Sequence, residues 1–156
     1  MTGTIICGVD DSREARMAAR VAVDLASRLD MRVVLVNAVD AGVLEQPPGR
    51  VPRLPPDHLQ EYRDELEGRG LATIAAVAGD AGVARHAEQR VVFGEPSEAL
   101  VGAARDDDAM FIVVGSRGMG GVRSALLGST SSSVLRAADR PVVVVPHEAS
   151  REVGAA

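Results

Sequence analysis

Short runs of apolar, mostly β-branched residues alternate along this chain with longer stretches that keep helical spacing. This alternation limits the folds open to the chain more than any other feature. The runs are Thr4 to Val9, Val33 to Val39, a more polar, alternating third from His86 to Phe93 that suits a place nearer an edge, Met110 to Gly115 and Pro141 to Val145. After the first run, Ala15, Ala18, Ala19, Ala22, Leu25, Ala26 and Leu29 fall on one helical face. Ser12 or Asp11 stands where a cap can accept a hydrogen bond from the first free N–H groups. After the second, a helix starts near Pro56 or Asp57 and carries Leu59, Tyr62, Leu66, Gly70, Thr73, Ile74 and Val77 until Gly79 to Gly82 ends it. Pro96 suits the first position of a third helix with Ala99, Leu100, Ala103 and Ala104 inward. Ser129 to Ala138 is the fourth. Runs apolar on both faces suit parallel strands covered by helices on each side. The order βαβαβαβαβ therefore predicts an α/β fold, a doubly wound five-stranded parallel sheet with right-handed crossovers and helices on both faces. Aromatics are only 2% of the 156 residues, so the core must be Ala, Val, Leu and Ile. The segment from Asp40 to Pro56 holds five prolines and reads as a long irregular loop.

In such sheets a ligand binds beyond the carboxyl ends of the strands, where strand order reverses. If the first and fourth strands are neighbours, Asp10 and Gly115 both open there. The fourth run leads into Gly115, Gly118, Gly120 and Gly121, and the loop closes at Gly128-Ser129-Thr130-Ser131-Ser132, at the start of the fourth helix. Glycine lets a backbone approach a ligand closely and adopt positive φ. Successive N–H groups can then converge on a phosphate. The helix that follows adds unpaired donors and the positive end of its dipole. Arg117 and Arg123 lie within this loop and can add charge to a phosphate.

Several chemistries are excluded. All 17 fixed cations are arginine, so the lysine of a Walker loop, of a Schiff base or of a kinase is missing. A receiver domain, which an Asp10-Asp11 pair imitates, also needs a late lysine and an aspartate after the third strand. That strand ends Phe93-Gly94-Glu95. Cys7 is the one cysteine and sits in a strand, where packing is its expected role. His58, His86 and His147 share no metal-ligand spacing. The serines after Gly128 have no G-x-S-x-G elbow. Asp106, Asp107 and Asp108 read as a solvated helix end. A net charge of −5 points away from nucleic acid, and no apolar run reaches the length of a membrane span. The first residues show no basic stretch followed by an apolar one, so a cytoplasmic location is expected.

The segment Gly115-x-x-Gly118, nine residues, Gly128-Ser129 resembles the G-x2-G-x9-G-[ST] signature of ATP-binding universal stress proteins. Gly8-Val9-Asp10-Asp11-Ser12 is similar to that family's first strand end. Ser133 to Ala138 and Pro141 to Pro146 resemble its closing helix and strand. The resemblance runs through nearly the whole chain. It implies one domain over residues 1–146, with 147–156 as a tail, and an adenine nucleotide alpha hydrolase-like, Rossmann-like sheet in the order 3-2-1-4-5. It implies ATP as ligand, with or without Mg2+. Asp10 would lie against the adenosine and the backbone near Ala38 against the base. Gly115, Gly118, Gly128 and Ser129 would cradle the phosphates, and Arg117 and Thr130, from the same loop and helix start, join them as candidate nucleotide-binding residues. It implies a homodimer through Val142 to Val145, an apolar strand with no charged guard, and a protein partner that the sequence does not name. A nucleotide-dependent stress sensor is the expected function, and a slow ATP-hydrolysing switch or a nucleotide-free dimeric module are the alternatives. Asp11 stands where the family more often has Gly; a helix cap explains it more simply than a Mg2+ ligand does. Asn37 stands where the family often has His.

Overall fold

The computed structural model describes residues 3–40, 42, 55–118 and 127–146. The chain runs β1 (Thr4–Gly8), α1 (Arg13–Leu29), β2 (Arg32–Val39), α2 (Pro56–Ala81), β3 (Ala87–Phe93), α3 (Pro96–Asp106), β4 (Phe111–Gly115), α4 (Ser129–Ala137) and β5 (Val142–Val145). All pairings are parallel, in the order β3-β2-β1-β4-β5. The expected loop from Asp40 to Pro56, the glycines at 120 and 121, Arg123, His147 and the tail lie wholly or mostly outside the described residues.

Side chains along the inner strands alternate between two cores. Ile5, Cys7, Val33, Leu35 and Val113 meet α1 and α2 on one face, through Ala15, Ala18, Ala22, Ile74 and Val77. Ile6, Val34, Val36, Ile112 and Val114 meet α3 and α4 on the other, through Leu100, Ala104 and Val134. An unbroken apolar strand is what a sheet buried on both sides requires. The alanine face of α1 is buried from Ala15 to Ala26, but Leu29 is 44% exposed. It is the last helical residue, and periodicity alone does not mark where the sheet beneath a helix ends. Gly70 lets α2 cross close over the sheet, since a Cβ there would lie 2.8 Å from Val91 Cγ2.

Two sequence expectations need correction. Ser12, not Asp11, caps α1, its hydroxyl accepting from Ala15 N–H at 3.1 Å. Asp11 is exposed and faces Arg16 at 3.3 Å. Asp107 is not a solvated helix end either. Its side chain is 10% exposed and takes Arg90 at 2.8 Å and Arg32 at 3.2 Å. These arginines open β2 and lie within β3, so one carboxylate ties α3 to two strands. The hydrogen bond from Arg90 holds the Asp107 carboxyl below its usual range.

Candidate functional site

β1 and β4 are neighbours, yet the chain leaves β1 toward α1 on one face and reaches α4 on the other after β4. The carboxyl ends of these two strands therefore part, and a crevice opens between them. It has a volume of about 470 Å3, within the roughly 300–1,000 Å3 range of small-molecule sites.

All eight expected residues, Asp10, Ala38, Gly115, Arg117, Gly118, Gly128, Ser129 and Thr130, line this cleft. They come from the ends of β1, β2 and β4, from both stems of the glycine loop and from the first turn of α4. Arg123 lies outside the described residues.

The glycines are needed for space. Gly115, Gly118 and Gly128 do not adopt positive φ, contrary to the sequence expectation; among the described glycines only Gly82 and Gly94 do. A Cβ on Gly115 would lie 2.7 Å from Glu14 Cβ, so α1 closes directly over the end of β4. A Cβ on Gly118 would lie 2.6 Å from Asp10 Oδ2. The Asp10 carboxylate thus spans the crevice: Oδ1 accepts from Ser12 N–H at 3.0 Å and Oδ2 rests on the glycine loop.

The loop is closed at its base. Gly128 N–H donates to the Ser116 carbonyl at 2.6 Å. The Ser131 hydroxyl, 2% exposed, stands 3.1 Å from both the Ser116 and the Gly128 carbonyl oxygens, as donor. Ser131 therefore spends its hydroxyl on the loop and leaves the helix N–H groups alone. α4 begins at Gly128 with no side-chain cap and no acid in its first turn. Its free donors and positive dipole end face the cleft. Arg117 lines the same space, and its buried Nε has no hydrogen-bond partner among the described residues. Open helix donors, a guanidinium and bare backbone together can receive an anion.

The rest of the cleft is largely apolar. Val36, Leu100, Val114 and Leu127 line it, and Gly8 makes room for Leu100, whose Cδ1 would sit 2.7 Å from a Cβ there. Asn37 donates to the Val9 carbonyl at 2.9 Å and fastens the ends of β1 and β2. Sequence reading named Gly8, Leu100 and Asn37 but gave them no place in the cleft, because each matters there through a partner distant in the chain. Cys7 is fully buried in the core beneath α1, and burial pushes its thiol up to about 12, which suits a packing role. Among the described residues no three His, Cys, Asp or Glu gather as a metal site, and no helix is long and apolar enough to cross a membrane.

The model of the universal stress protein family matches residues 1–146. A universal stress protein of Thermus aquaticus is 33% identical over 150 residues, spanning 93% of this chain and 99% of its own. The solved universal stress protein UspA from Lactobacillus plantarum has a TM-score of 0.70 at 22% identity, covering 92% of this chain and 97% of its own, a likeness of fold. A solved universal stress protein in complex with cAMP has a TM-score of 0.61 at 27% identity, covering 92% of this chain and 96% of its own.

Proposed function

The chain belongs to the universal stress protein family, and from that premise we propose that it binds an adenine nucleotide, ATP foremost, in the cleft between β1 and β4. The observation that carries this reading is that the uncapped amino end of α4 lines the same cleft as Arg117, whose Nε has no hydrogen-bond partner among the described residues. Phosphates would rest on Gly115, Gly118, Gly128, Ser129 and Thr130, with Arg117 supplying the cation. Asp10 would meet the adenosine, the backbone at Ala38 the base, and the apolar wall would take the flat heterocycle. The similar protein in complex with cAMP supports an adenine nucleotide as the class of ligand. Mg2+ arriving with ATP would draw its ligands mainly from phosphate oxygens and water, as that ion usually does.

The bound chain acts as a cytoplasmic sensor: occupancy alters a surface beside the cleft that a partner protein reads. It works as a homodimer joined through Val142–Val145. Hydrolysis needs a positioned water and a charge clamp in the transition state, and among the described residues Asp10 is the one carboxylate lining the cleft. Its contacts with Ser12 and the loop suit a positioning role better than that of a base.

Amide NMR during an ATP titration tests the site. Saturable shifts at residues 115–118 and 128–130 are expected. Saturable shifts confined to other parts of the chain, or none at all, would refute the assignment.

A further inference from the structure

β3 is an outer strand. Among the described residues it pairs with β2 alone, so the main-chain groups along its other side join no ladder. Beside it, on the α3 face, runs a second groove of about 380 Å3, distinct from the nucleotide cleft. Val92, Ala99 and Ala103 give it an apolar floor, and Glu95, Glu98 and Asp106 give it an acidic rim. Among the described residues the one cation in its lining, Arg90, is already matched by Asp107 and Glu88, each at 2.8 Å. Among the described residues no cation pairs with Glu98 or Asp106.

Gly102 lies in this groove, in the middle of α3. A Cβ there would meet nothing within 4 Å, so no packing among the described residues requires a glycine. Glycine is the least favourable helix residue after proline. Gly68 and Gly79 on α2 are equally unobstructed, but they are exposed; Gly102 is half-buried in the wall of a groove. It leaves a notch that something else can fill.

We propose that this groove docks an extended segment of a partner protein bearing arginine or lysine, added as a strand to the free edge of β3. Main-chain hydrogen bonds would supply affinity, as in other strand additions. Every second side chain would face α3: basic ones toward Glu98 and Asp106, an apolar one over Val92 and into the notch at Gly102. A second copy of this chain fits poorly, since pairing β3 with itself brings the same carboxylates together. The acidic rim likewise repels a nucleotide or a nucleic acid.

The test uses a fluorescent peptide, Thr-Arg-Thr-Val-Thr-Arg-Thr, read by anisotropy against the full chain. Two controls replace both arginines by glutamate, or the residues flanking valine by proline. The first peptide should bind saturably and protect β3 amides from hydrogen exchange, and both controls should fail. Glu98→Gln with Asp106→Asn should weaken binding at least about tenfold. Gly102→Leu should abolish it while the melting temperature holds or rises, which separates a filled notch from a damaged fold. Failure of the arginine peptide to bind, equal binding by a control, absence of β3 protection, or unchanged binding by the variants would overturn the proposal.

Discussion

Asp10 and Gly118 show how much of the site was legible at the scale of single residues. The spacing of the glycines was plain, and so was an acid at the end of the first strand. That a side chain at Gly118 would press on the Asp10 carboxylate was not legible, since the two are far apart in the chain. Asp107 failed as a reading for the same reason. An acid at a helix end looks solvated until Arg32 and Arg90 arrive from two strands. Its pH behaviour follows from its depressed folded-state pKa. The stability it contributes is present above the unfolded-state value, about 3.9, and is lost as pH falls through the lower folded value. Asp107→Asn should therefore cost about 1–3 kcal/mol at pH 7. It should also flatten the loss of stability on acidification below about pH 4. Urea denaturation at a series of pH values checks both, and parallel acid limbs for the two proteins would count against this role.

Elements were read more securely than their ends. The two hydrophobic periods separate strand from helix without knowledge of the fold. Helix limits depend on caps and on what lies beneath, hence the exposed Leu29 and the choice of Ser12 as cap. The contact between α1 and β4 was invisible in the sequence although it shapes the cleft. It should make Gly115→Ala destabilising, because the new Cβ meets Glu14 Cβ at 2.7 Å and the Glu14 backbone carbon at 3.1 Å. Overpacking of this kind costs about 1–3 kcal/mol. A melting temperature several degrees lower, by calorimetry, is expected; an unchanged one would mean that α1 yields freely.

At the scale of the whole molecule, doubly wound order places the crevice where β1 and β4 part, and this followed from strand–helix alternation before any residue was given a role. The outer edges were less legible, because a chain pattern does not say what covers an edge. β5 pairs with β4 alone among the described residues, and Val142 to Val144 are half-buried in the single chain. A homodimer through β5 should appear as twice the chain mass in native mass spectrometry, with β5 amides slow to exchange; a monomer at micromolar concentration would exclude it. The claim on which the rest depends is that spaced glycines and the open end of α4 hold a nucleotide without lysine. Calorimetric titration of ATP into the wild-type chain and into Gly118→Val tests it most directly. Saturable uptake by the wild type, weakened at least about tenfold in a variant that still melts normally, is the predicted result. No heat of binding in the wild type, or equal affinity in the two proteins, would contradict it.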